Sequence, residues 1–475
     1  MVLFFCIITF FDPLEWIEYK DYRYIRSIDV DTRWIWVAST DGIIRYDKLR
    51  ENWEIPRSRT TFPNNIRVIG VDEFSNYAWF VTTSTLARYN STFKEIDEYP
   101  LPIQGIPSHI AFTKDAVLIH IKDKYYRFDR NTQKIEKITS GNNFDWRPRN
   151  QPQDFTLLSP YFIQDKRLRI YDMTCVISDE GFLWVGTSGM GLYRYDIYTH
   201  NSENLCLGVP NGRIKAIYIE GGKIWIGGDN DAVTLWERGK NRWSYFDLSE
   251  YELYSIKVKA ITTDDSSVWF ATTEGVVRLC DNQFKTFTVF DGLPSNSVTD
   301  VKADNNGVWV GTDWGLARIV KDVVVRENRM ERVRINDIEL VGDSILIATP
   351  YGVWVSYGKD LIPIPDSTGM LATGVSVICG DEFFATKMGI VTKGGKRLTY
   401  PFDLPDPNIY AIEVLRDEIW IGTAKGAVRF DRNLSLREIF DGKNSPIKGA
   451  VYAISICENS VLFGTDNGLI EYEGP

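Results

Sequence analysis

At 475 residues the chain exceeds what one ordinary hydrophobic core holds, so several domains or a repeat array are expected. Its composition is globular, 44% hydrophobic and 25% charged, with a high aromatic share of 13%. The formal net charge of −10 argues against a nucleic-acid binder, because phosphate binding relies on a basic footprint.

The chain opens on an apolar run, Val2–Phe11, within a segment that extends to residue 13. This run is too short to span a bilayer, and it lacks the basic start and small-residue cleavage site of a complete signal peptide. It reads as a signal-peptide remnant or as a plain apolar end. The protein is expected to be periplasmic or secreted, with no membrane span. Next comes Leu14–Tyr19, LEWIEY, which reads as a strand.

From there one unit recurs through 14–475. An apolar strand begins on a large residue, and a turn glycine follows six residues later. The copies are Trp36 to Gly42, Trp184 with Gly189 and Gly191, Trp269 to Gly275, Trp309 to Gly315, Leu346 to Gly352, Phe383 to Gly389, Trp420 to Gly426 and Leu462 to Gly468. Trp79, Leu118 and Trp225 anchor three more copies without the glycine. Successive anchors lie 43, 39, 66, 41, 44, 40, 37, 37, 37 and 42 residues apart, a period near that of propellers and solenoids.

Each copy has the same grammar. An alternating strand such as Val298–Ala303 is followed by a polar turn, then the anchor strand and its glycine turn. A third strand like Gly191–Asp196 and a fourth with spaced aromatics, such as Trp243–Phe246, complete it. Such spacing without amphipathic helices means all-β, and four antiparallel strands make one propeller blade. The fold expected is a β-propeller of about eleven four-stranded blades. The last copy has no fourth strand behind Gly468–Tyr472, and LEWIEY supplies one, which would close a ring and remove an open edge. Eleven blades exceed the usual four to eight, so the sequence leaves open one large ring or two nested rings.

The 66-residue interval holds an insertion, 140–164, rich in Pro, Asn, Asp and aromatics. Trp146, Arg147 and Tyr161 are its candidates for a binding loop; a ring-to-ring crossover or simple decoration is the competing and favoured reading. Segments leading into the first strands are basic despite the acidic total. They hold Arg23, Arg26, Arg67, Arg167, Arg169, Arg213, Lys215, Lys257, Lys259 and Arg334. In a propeller these positions fall on one face around the central channel, where repetition would focus a positive field. An anionic glycan, a small anionic ligand or an acidic protein partner would fit there; solvated turn residues without a shared ligand are the plainer alternative.

Catalytic grammar is weak. Asp264-Asp265, Asp179-Glu180, Asp381-Glu382 and Asp417-Glu418 all occupy the turn before an anchor strand, where turn propensity explains them. The six cysteines form no metal-type spacing and read as buried thiols. Three histidines, His109, His120 and His200, share no motif. No cofactor, metal or catalytic residue is assigned.

Gly292-Leu293-Pro294-Ser295-Asn296-Ser297-Val298, leading into Trp309–Thr312 and Gly315–Arg318, resembles the propeller repeat of two-component-regulator sensor domains, found in the exported halves of bacterial hybrid sensors. Trp184–Thr187 with Gly191–Asp196, and Trp420–Thr423 with Gly426–Asp431, are partial copies. Large members of that family usually carry two seven-bladed rings, an immunoglobulin-like domain, a membrane helix and a kinase. This sequence has eleven copies and ends on the last. The resemblance implies a bacterial, exported, propeller-only binding or scaffold protein. The alternative is a propeller-type lyase or hydrolase acting on a carbohydrate or lactone. What lines the channel should discriminate: converging acids for an enzyme, an arginine-rich mouth for anion binding, apolar side chains for a scaffold.

Overall fold

The computed structural model describes residues 12–75, 77–141, 144–148, 162–164, 169–210, 212–229, 232–248, 256–357, 360–364, 375–380, 383–415 and 417–474. The apolar start 1–11, Arg167, Tyr161 and most of the 140–164 insertion lie outside these residues.

Eleven antiparallel sheets form among the described residues, one on each predicted anchor. Their first strands are Ile25–Val30, Val68–Val71, Pro107–Phe112, Ile170–Asp179, Ile214–Glu220, Val258–Thr263, Val298–Asp304, Asp337–Val341, Val375–Cys379, Ile409–Leu415 and Val451–Cys457. Ten sheets have four strands; the fourth has five, because Phe162–Gln164 from the insertion pairs with the first half of Ile170–Asp179. In the last sheet, Gly468–Tyr472 lies beside Ser460–Thr465, which pairs in turn with Val451–Cys457.

Local chemistry explains why each hairpin forms. In Val308–Arg318 the Thr312 hydroxyl donates to the Gly315 carbonyl at 2.7 Å and accepts from the Trp314 N–H, closing the turn. Thr272, Thr349, Thr386, Thr423 and Thr465 do the same, buried where no water could replace them. The turn glycine is conformationally required. At Gly275 φ is +122°, and a Cβ would stand 2.3 Å from the Phe287 carbonyl oxygen. Trp309 pairs with Arg318 on the next strand, whose guanidinium lies over the indole at 4.5 Å. Arg278 on Trp269 and Arg429 on Trp420 repeat this pair. The turn acids ahead of the anchors accept from the indoles: Trp269 Nε1 donates to Asp264 at 2.7 Å and Trp309 Nε1 to Asp304 at 3.1 Å.

The sheets fall into two compact units. One is built on Asp12–Pro210 and Glu237–Ser244, the other on Asn211–Trp236 and Tyr245–Pro475. In the second, the first strands of seven sheets neighbour one another in sequence, from Ile214–Glu220 to Val451–Cys457, and the last returns to the first. Seven sheets therefore close on themselves, which removes a single eleven-sheet ring from the two options. Buried residues such as Trp269, Phe287, Leu293, Val301 and Val310 pack between successive sheets. Each large apolar side chain so buried contributes about 1.5–3 kcal/mol. Polar stitches join neighbouring inner strands: Ile338 N–H donates to Asp300 at 2.9 Å and Ala303 N–H to Thr262 at 3.2 Å. The first unit contains four sheets, whose first strands neighbour one another in the order fourth, first, second, third.

Candidate functional site

The basic lead-in residues meet different fates. In the seven-sheet unit, carboxylates from the turns after the anchor strands answer them. Arg213 contacts Asp466 at 2.9 Å and Asp229 at 3.1 Å, and Lys215 contacts Asp229 at 2.7 Å. Burial opposes the charge on Asp229, but Lys215, Lys257 and Arg213 hold its carboxyl below the usual range. Arg334 bonds Asn336 at 3.1 Å and lies 3.4 Å from Asp313. Lys259 donates to Ser297 at 3.3 Å, and burial pulls its ammonium pKa down. This rim alternates in sign.

In the four-sheet unit, Arg23 is clamped by Asp21 at 2.8 Å, and Arg169 is exposed. Arg26 and Arg67 differ from the rest. They line one cleft of about 350 Å3 with Ser108, Thr174 and an apolar wall of Ile106, Pro107 and Pro148. Arg26 donates to the Ile66 carbonyl at 3.3 Å. Neither guanidinium reaches a carboxylate among the described residues, and Arg67 Nε is buried without a partner. Burial and then the neighbouring Arg67 lower the pKa of Arg26, while Asp41, beyond contact distance, pulls it partly back. A second cleft of this unit, about 330 Å3 beside Arg45, Trp53 and Arg57, lacks this feature: Arg45 pairs with Glu54, and Arg57 donates to the Leu14 carbonyl.

The insertion candidates lie beside the same sheets. Trp146 donates to the Gly141 carbonyl at 3.0 Å and packs among His109, His120, Tyr125 and Phe144. His120 Nδ1 is 2.8 Å from Ser108 Oγ at the cleft. Arg147 is buried: its backbone pairs with Ile110, and its guanidinium grips the fully buried Asp29 at 2.8 Å. Its cation is spent on Asp29.

Sequence reasoning missed a second constellation. In the seven-sheet unit, the inner-strand residues opposite the seven anchors are Tyr218, Thr262, Lys302, Glu339, Cys379, Glu413 and Ser455. All carry a polar or ionisable group and share one level of the closed ring. Lys302 contacts Glu339 at 3.2 Å, and about a third of its side chain stays accessible. Burial opposes the charge on Lys302, but Asp300, Glu339 and Asp337 hold it protonated. Burial, then repulsion from Glu339, pushes Glu413 up to about 7, with Lys302 opposing. A signal existed: six of the seven stand seven residues before their anchors, and Cys379 stands four before Phe383. Among the described residues no three His, Cys, Asp or Glu side chains are grouped to hold a metal ion, and no helix is long and apolar enough to cross a membrane.

The comparisons bear on the repeat. Residues 292–314 match the family described as two component regulator propeller. That stretch runs from the Gly292-Leu293-Pro294 lead-in through the inner and anchor strands to the exposed turn at Trp314. No curated protein matches the chain. Among solved structures, the chain is similar to the extracellular domain of BT3049 from B. thetaiotaomicron, assigned as a hybrid two component system. Identity is 15%, over 94% of this chain and 74% of that one, with a TM-score of 0.46. The extracellular domain of BT4673 from the same organism gives 14%, 94%, 70% and 0.36. PorZ, a surface component of the type-IX secretion system of Porphyromonas gingivalis, gives 11%, 94%, 68% and 0.33. With its closed ring of four-stranded sheets the chain is a β-propeller protein, and residues 292–314 are similar to the two component regulator propeller repeat.

Proposed function

We propose that this protein is a sensor-like binding and interaction propeller, working outside the cytoplasm, that captures an anionic ligand between Arg26 and Arg67. The observation that carries the reading is the pair of guanidiniums sharing one cleft without a carboxylate among the described residues. Each is costly to leave unanswered, and a carboxylate, sulfate or acidic sugar would answer both through bidentate, charge-assisted bonds. The hydroxyls of Ser108 and Thr174 add neutral donors, and Ile106 and Pro148 offer an apolar wall. Titrating the protein with glucuronate, sulfate and uncharged glucose while following thermal unfolding tests this. Glucuronate or sulfate should raise the melting temperature by mass action, glucose should not, and Arg26→Ala with Arg67→Ala should abolish the shift. A double variant that still responds like the parent overturns the assignment.

The enzymatic alternative draws on one observation, the axial level of Lys302, Glu339 and Glu413. A carboxyl titrating near neutrality suits general acid–base work on a carbohydrate or lactone. Turnover of a polyuronate that Glu413→Gln removes, with unfolding unchanged, would establish it; no turnover by the parent protein between pH 6 and pH 8 ends it.

A further inference from the structure

The Thr-x-x-Gly turns between anchor and third strands offer one outward position per sheet. Three hold a polar residue there, Glu274, Lys425 and Asn467, as does the equivalent turn opened by Ser39, at Asp41. Three consecutive sheets of the seven-sheet unit do not. The seventh, eighth and ninth present Trp314, Tyr351 and Met388, which are 57%, 67% and 63% exposed. The turns that carry them are closed by Thr312, Thr349 and Thr386 in the same way, so the three side chains leave equivalent points of neighbouring sheets. Large apolar side chains held in water by rigid turns cost solubility without adding core, and grouped ones mark interaction surfaces.

We infer that this row is a docking surface for an acidic partner segment that carries bulky apolar side chains. Two features beside the row point to that chemistry. A groove of about 250 Å3 opens next to Trp314, walled by Leu316 and Pro294, and lined also by Arg326, Arg332, Glu327 and Glu331. The Arg332 backbone N–H donates to the Trp314 carbonyl at 3.0 Å, so both residues line the groove. Arg332 and Lys387, exposed neighbours of Trp314 and Met388, have no carboxylate partner among the described residues. Glu331 stands against them, whereas Asp313 is already committed to Arg334. The sector thus presents three apolar anchors and, beside Glu331, two cations without a carboxylate partner among the described residues. An apolar side chain of the partner would seat in the groove against Trp314, and its carboxylates would face Arg332 and Lys387. Aromatic and arginine side chains at such sites dominate binding energy, and the cations steer the encounter.

The test uses the full chain, immobilised, with a random glutamate–tyrosine copolymer as probe and polyglutamate and a lysine–tyrosine copolymer as controls. The glutamate–tyrosine copolymer should bind, polyglutamate should bind more weakly, and the lysine–tyrosine copolymer should not bind. Replacing Trp314, Tyr351 and Met388 together by serine should weaken binding by about tenfold or more. Because all three are exposed, the melting temperature should hold. Arg332→Glu with Lys387→Glu should weaken binding similarly and remove its salt dependence. Binding that survives the triple change, equal binding of the lysine–tyrosine copolymer, or no binding of any copolymer overturns the inference. So does sedimentation showing a dimer that the triple variant dissolves, since the face would then be a contact between copies of the chain. Arg26 and Arg67 are intact in these variants, so the outcome is independent of the anion cleft.

Discussion

Arg147 shows how far a side chain's role departs from its sequence neighbourhood. It sits in a Pro-, Asn- and Asp-rich stretch that reads as loop, yet its guanidinium is buried against Asp29, 118 positions away. Nothing local announces this, because the partner comes from another sheet. Burial drives the Asp29 carboxyl pKa up while Arg147 and the Val71 N–H pull it back, so the pair is mutually dependent. Arg147→Ala should leave a buried, uncompensated carboxyl and cost about 3–5 kcal/mol, read as an earlier midpoint in urea unfolding. Arg147→Met combined with Asp29→Leu should recover most of that loss, because a packed apolar pair needs no counter-charge. If the single variant unfolds with the parent, the pair contributes no stability. Arg26 and Arg67 look alike in sequence to Arg213 and Lys215; only the structure shows that the latter two meet Asp229 and Asp466 whereas the former meet no acid among the described residues.

At the scale of the element, the hairpin was legible because its chemistry is local. Trp309, Thr312, Gly315 and Arg318 lie within ten residues, and each makes its defining contact inside the same pair of strands. The turn acids were legible for the same reason: Asp264 caps Ser266 and Ser267 and accepts from Trp269, a turn role. The fifth strand of the fourth sheet was not legible, since three residues of insertion pair only because Ile170–Asp179 runs long. The turn glycine offers the sharpest test. Gly275→Ala forces a side chain into a backbone region that costs about 1–3 kcal/mol, and adds a collision with the Phe287 carbonyl. Gly239→Ala, where nothing lies within 4 Å, should stay within about 0.5 kcal/mol. Parallel thermal melts would show it; equal losses in both variants would mean that the turn conformation is not what the glycine supplies.

At the scale of the whole molecule, the period announced repeats and LEWIEY a closed ring, but not how many sheets close together, because which inner strands become neighbours depends on packing between sheets. Seven closing together creates an axis, and the axis collects what each anchor's partner happens to be: Lys302, Glu339, Cys379 and Glu413 from four neighbouring sheets. The apolar anchors drew the eye in sequence, and the polar residue seven positions earlier did not. This arrangement makes stability depend on pH in a defined direction. The Glu413 carboxyl is raised from 4.5 to about 7 in the folded protein, by burial and then by Glu339, so between those values the folded state holds a proton that the unfolded chain has lost. Its contribution is fully present below about pH 4.5 and is lost as pH rises through 7, with a slope of at most about 1.4 kcal/mol per unit. Asp300, raised by burial against the pull of Lys302, acts in the same sense, whereas Lys302 stays charged throughout. Glu413→Gln keeps the shape and removes the titration. The variant should melt close to the parent at pH 5 and above it at pH 8, and its profile should be flatter, with Asp300 and Asp29 contributing to the slope that remains. A variant that follows the parent at every pH would mean that folding does not raise the Glu413 carboxyl and would leave the axis without electrostatic strain there.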